Sequence, residues 1–191
     1  SKALIIQQYQ VVSEEDRADW EIYANENKGW VEDVLVTQIN DEIFQGWKNI
    51  TEFDPTSPGI LYGTGLSEPN SGPYTPSWQG YPLVPTFLAY NWNGIQDHKV
   101  GPGLQKVIDD REVIFTEIIN LPDPNDPLSQ VAVNAINEWT AKYVSPDKDT
   151  SEPFVRFTYP VLDTAADSVS TKDKSASSVV AIVSLTFFWR D

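Results

Sequence analysis

"EPFVRFTYPVLDT", residues 152–164, alternates apolar side chains with others in the two-residue period of a β-strand. Val155, Phe157, Tyr159 and Val161 fall on one face. Phe154, Arg156 and Thr158 fall on the other, so a strongly apolar strand carries a cation in the middle of its second face. An unpaired guanidinium inside a sheet is costly. Arg156 is therefore expected either to meet an Asp or Glu partner at the sheet edge or to face a wet cavity, where its planar fork suits an anionic ligand.

Downstream, "DTAADSVSTKDKSASS" (residues 163–178) is a polar, hairpin-like loop. It leads to a β-branched apolar run from Val179 to Trp189, interrupted by Ser184 and Thr186. The run is shorter than the roughly 18 to 20 apolar residues of a membrane span and reads as a return strand. Two strands joined by a polar loop suit an antiparallel pair.

Upstream, Leu128 to Val144 has helical spacing through Val131, Ala135, Ile136, Trp139 and Tyr143, after a break at "LPDPNDP". "REVIFTEII" (residues 111–119) reads as a strand. "GPGLQKVIDD" (residues 101–110) reads as a helix with Pro102 at its start and Leu104, Val107 and Ile108 on one face. Residues 40–99 are rich in proline and glycine and studded with aromatics, which predicts short extended pieces in an irregular segment. Tyr62, Tyr74, Trp78, Tyr81, Phe87, Tyr90 and Trp92 either pin these loops to the domain or line a pocket.

At the other end, "KALIIQQYQVV" has an ambiguous period and fits a strand or an incoming helix. Ser13 is an N-cap candidate, with Glu14 and Glu15 in the first turn where the helix dipole favours them. Trp20, Tyr23, Trp30, Val31 and Val34 form a helical stripe with a break at Gly29. The pattern as a whole predicts a single α+β domain over residues 1–191, with an antiparallel sheet and helices on one face. Its parts are an N-terminal helical segment (1–39), a loop-rich aromatic segment (40–99) and a helix and strand portion (100–191).

Composition narrows the function classes. The 191 residues carry 28 acidic and 13 basic side chains, a net charge of −15, which excludes nucleic acid as a main partner. The absence of cysteine excludes disulfide frameworks and thiol chemistry. With no methionine and a first residue Ser1, the chain is expected to be a processed or excised piece. His98 is the single histidine and reads as a solvated side chain. No nucleophile elbow, phosphate loop, dinucleotide fingerprint or zinc-protease motif occurs, so neither catalysis nor a cofactor is expected. The acidic pairs lack calcium-loop spacing and read as surface charge. "NIT" places an N-glycosylation acceptor pattern at Asn49.

"SEEDRADWEIYANENKGWVED", "GPYTPSWQ", "VIDDREVIFTEII", "FVRFTYPVLDT" and "VVAIVSLTFFWRD" occur in an order that resembles the extracellular sensory segments of receptor-type nucleotide cyclases, especially those of diatoms, and is similar to CHASE domains. The resemblance covers Val12 to Asp191. It implies a PAS-like or Cache-like fold outside the cell, an N-terminal helix descending from one membrane span and "FFWRD" approaching a second, with a cytosolic cyclase elsewhere in the parent protein. On that fold Arg156 and Thr158 are expected on the ligand-facing side of the sheet, with Trp78 as a lid over an unknown small molecule or protein ligand. A structural alternative is a released extracellular protein. In that case the apolar strands "KALIIQQYQVV" and "SVVAIVSLTFFW" drive assembly into homo-oligomers or filaments by strand addition at a sheet edge.

Overall fold

The computed structural model describes residues 5–38, 59–62, 66–81, 90–97, 99–116, 118, 154–163 and 178–188. The predicted strand is present as β6 (Phe154–Leu162), and Val179–Phe188 pairs antiparallel with it as β7. The ladder shifts by one residue between Val161 and Leu162, and beyond the shift the Asp163 N–H donates to the Ser178 carbonyl at 2.9 Å. "IIQQYQ" resolves its ambiguity as strand β1 (Ile5–Gln10), antiparallel to β7. β4 (Ser77–Tyr81) pairs with the other side of β1, and β5 (Ile114–Phe115) with β6. The resulting five-stranded antiparallel sheet has the order β4-β1-β7-β6-β5, and a two-stranded ribbon of β2 (Leu61–Tyr62) and β3 (Leu66–Ser67) lies apart from it. Helices and an antiparallel sheet make this an α+β fold.

The predicted strand over "REVIFTEII" is much shorter than expected. The preceding helix α3 (Gly101–Asp110) closes on Arg111 in the left-handed conformation, φ 56°, whose N–H donates to the Val107 carbonyl. That ending uses up residues before extended pairing begins at Ile114. Within α3, Pro102 sits in the first turn, Leu104 and Val107 are buried, and a Lys106–Asp110 ion pair of 2.7 Å lies on the solvent side. The helix packs with Tyr9, Val179 and Ile182, flanked by Ile114 and Leu162, over one half of one sheet face.

At the other end, α1 (Arg17–Glu26) begins later than Ser13 predicts. The Ser13 hydroxyl accepts the Asp16 N–H at 3.1 Å and donates to the Asp16 carboxylate at 2.6 Å, so it caps a turn ahead of the helix. Glu14 is drawn off the helix axis, because its carboxylate accepts hydrogen bonds from the Gly72 N–H and the Tyr74 hydroxyl. The break in the stripe falls at Asn27 and Lys28, and Gly29 opens α2 (Gly29–Gln38). Trp20, Ala24 and Val31 then pack with Val12, Ile60, Tyr74, Trp78 and Tyr90 in a second, aromatic core. Leu128–Val144, Asn49, His98, Phe87 and the loop 164–177 lie outside the described residues.

Candidate functional site

β-Pairing brings residues of four strands into rungs on the face that α3 half covers. Arg156 stands opposite Thr186, Thr158 opposite Ser184 and Ser184 opposite Gln7, while Pro160, Ile182, Tyr9 and Ser77 form the next rung. Directly opposed residues in an antiparallel sheet point to the same side. The last rung is the one under α3 and is partly apolar. The middle rung is polar throughout and nevertheless inside: Thr158, Ser184 and Gln7 are 2, 1 and 8 % exposed.

The usual alternation is therefore reversed here. Tyr159 and Val161, on the apolar face of β6, are the exposed side chains, whereas the face that carries Arg156 and Thr158 is turned inward. Arg156 leans over the middle rung. Its Nη1 donates to the Tyr9 hydroxyl at 3.1 Å, its Nη2 to Gln7 Oε1 at 3.4 Å, and its backbone N–H to Thr116 Oγ1 at 3.0 Å. Tyr9 in turn donates to Gln7 Oε1 at 2.9 Å, and Gln7 Nε2 to Ser77 Oγ at 3.3 Å. Among the described residues, the side-chain partners of the guanidinium, Tyr9 and Gln7, are neutral. Among the described residues no carboxylate lies within ion-pair distance of Arg156, and its Nε and the Ser184 hydroxyl are buried with no hydrogen-bond partner.

Of the three predicted site residues, Arg156 and Thr158 share this face. Trp78 does not cover them. It is 6 % exposed and packs edge-on against Trp20 at 5.1 Å and Trp30 at 5.7 Å, with Tyr90 also at 5.7 Å, in the aromatic core of α1 and α2. The lid assignment is corrected by this packing: an indole filling a core has no free face to close over a ligand. Among the loop aromatics, Tyr74, Trp78 and Tyr90 are buried anchors.

Gln7, Tyr9, Ser184 and Thr186 complete the site and were not singled out as site residues from sequence. The signal was present as polar interruptions in apolar runs, "IIQQYQ" and "VVAIVSLTFF". Their meaning depends on the pairing register, which brings Ser184 and Gln7 beside Thr158.

A second polar centre joins α1 to the loop before β4. Glu68 is 2 % exposed; its Oε1 accepts from the Asn70 backbone N–H and Nδ2, and its Oε2 from Asn93 Nδ2. Arg17 bridges Glu21 at 3.0 Å, the Tyr74 hydroxyl at 3.2 Å and the Glu68 carbonyl at 2.9 Å. All acceptors of this network are used by the chain itself, which makes it a fastener. Among the described residues no three His, Cys, Asp or Glu side chains converge to hold a metal ion, and no helix is long and apolar enough to cross a membrane. A surface groove of about 490 Å³ lies where Ser71 and Pro73 meet Gln96, Asp97 and the start of α3. Asp97 Oδ1 there already accepts the Lys99 and Val100 N–H groups.

No protein-family model matches the sequence, and no curated protein matches it.

Proposed function

We propose that this chain is a non-catalytic ligand-sensing domain of the PAS/Cache type, the extracellular part of a membrane-spanning receptor such as a nucleotide cyclase, with a ligand on the polar half of the α3-covered sheet face. The observation that carries this is Arg156, a part-buried cation whose side-chain partners among the described residues are all neutral and whose Nε has none. A group of that kind stabilises a fold poorly and binds anions well. The order of the strands supports a route for the signal. β1 and β7 are neighbours, and both border the polar tract, so a ligand that shifts one shifts the segments that enter and leave the sheet together.

Assembly through the terminal strands finds less support. β1 lies between β4 and β7, and β7 between β1 and β6, so both are interior strands whose backbone groups are paired on two sides. Strand addition needs a free edge, and the outer strands of this sheet are β4 and β5.

The test is a thermal-shift screen of the purified chain against a library of small metabolites. The expected result is at least one compound that raises the melting temperature in proportion to the logarithm of its concentration, with the effect lost in Arg156→Gln. A screen without any such compound, or one whose effects persist in Arg156→Gln, overturns the reading.

A further inference from the structure

We infer that the group bound by Arg156 is the carboxylate of a small monoanion, held side-on by Nε and Nη2 with the Ser184 hydroxyl as a further donor; this rests on the ligand-sensing reading above. Three observations point to it. First, Nε is the guanidinium nitrogen that has no hydrogen-bond partner, and its neighbour Nη2 makes a long 3.4 Å contact to Gln7. These two nitrogens form one edge of the fork, the edge that matches the two oxygens of a carboxylate. The third nitrogen is engaged by Tyr9 at 3.1 Å and fixes the orientation of the plane.

Second, Ser184 stands one rung along the same face, opposite both Thr158 and Gln7, and its hydroxyl is buried without a partner. Two buried donors without partners on neighbouring rungs of one face describe the place of a missing acceptor. Third, the charge inventory decides between anions. Arg156 is the single Lys, Arg, Asp or Glu on the three rungs. One positive charge balances a monocarboxylate. A phosphate or sulfate dianion would leave uncompensated negative charge in a buried site of a molecule that already carries −15. The enclosure limits size, since Thr158, Ser184 and Thr186 are all nearly inaccessible.

Binding of acetate and propanoate to the intact chain, followed by calorimetry or by amide chemical shifts at ionic strength held constant with sodium chloride, tests this. Acetamide, propanamide and inorganic phosphate are the comparisons. Saturable binding of the carboxylates is expected, with amides and phosphate at least about 10-fold weaker. Arg156→Lys, which keeps the charge and loses the fork, is expected to weaken propanoate about 10-fold or more, and Ser184→Ala about 3- to 10-fold. Amides that bind as well as the acids, phosphate that binds better, or an Arg156→Lys chain with unchanged affinity overturns the inference. The comparison of acid with amide uses the unaltered chain and needs no variant to fold. Should no carboxylate bind while a neutral library compound gives an Arg156-dependent shift, the carboxylate inference fails and sensing stands. Should neither occur, both fall.

Discussion

The Tyr9 hydroxyl accepts a hydrogen bond from Arg156 Nη1 at 3.1 Å, across β7, which separates the strands of the two residues. The contact closes over a rung of buried Thr158, Ser184 and Gln7, so the guanidinium is oriented by neutral groups and, among the described residues, meets no carboxylate. If this cation serves the proposed binding, its removal has a characteristic signature.

Arg156→Met is expected to leave the unfolding free energy in urea within about 1 kcal/mol of the unaltered chain, or to raise it, because an uncompensated charge is replaced by an apolar side chain. Breaking a buried ion pair would instead cost about 3–5 kcal/mol. A loss of that size would show that a carboxylate of this chain is the partner of Arg156. Tyr9→Phe removes two hydrogen bonds from a buried ring and is expected to cost about 1–2 kcal/mol.

Trp78 belongs to the aromatic core. Trp78→Phe is expected to lower stability by about 1–3 kcal/mol through lost packing against Trp20, Trp30 and Tyr90, and to leave propanoate affinity of the folded protein within about 2-fold. A folded Trp78→Phe chain with affinity reduced 10-fold would restore the indole as a lid.

Two glycines mark close approaches around α3. A Cβ on Gly94 would stand 2.8 Å from both Tyr9 Cε1 and Leu104 Cδ1, which are side-chain atoms able to yield. On Gly101 it would overlap the Ile95 carbonyl oxygen, which is backbone and cannot move alone. Gly94→Ala is expected to cost about 1–3 kcal/mol and Gly101→Ala more. The reverse order in a urea titration would contradict this placement of α3.

The Tyr74 hydroxyl and the Gly72 N–H hold the Glu14 carboxyl below its ordinary value of 4.5, assisted by the charge of Arg17. Its folded pKa is depressed, so the stability it contributes is present above pH 4.5 and is lost as pH falls through the lower folded value. Acid unfolding is expected to steepen below pH 4.5, and Glu14→Gln is expected to flatten the profile there. An unchanged profile in Glu14→Gln would remove Glu14 from the linkage. At the alkaline end burial pushes the Tyr90 hydroxyl up to about 12. The protonated form is favoured in the fold, so stability falls between pH 10 and 12, and Tyr90→Phe is expected to reduce that fall.

Periods and punctuation made much of the fold legible. The alternation of 154–162, the apolar run after Val179, Pro102 with Leu104 and Val107, and the interruption near Gly29 each correspond to a described element. These are local properties, set by sterics, side-chain spacing and backbone capping. Errors arose where a distant residue competed. Glu14 left the helix start because Tyr74 and Gly72, about 60 residues away, offered better donors. Trp78 joined the α1 and α2 core, which no local pattern announces.

The sequence by itself determined that residues 154–162 form a strand with Arg156 and Thr158 on one side and a row of apolar residues on the other. Which side is inside was decided by tertiary structure. Hydrophobicity alone would bury Tyr159 and Val161, yet they are exposed, while the polar side lies beneath the guanidinium. The reason is register: only when β1, β7 and β6 pair as they do are Gln7, Ser184 and Thr158 on one rung, able to bury hydroxyls and an amide together with the one cation that spans them.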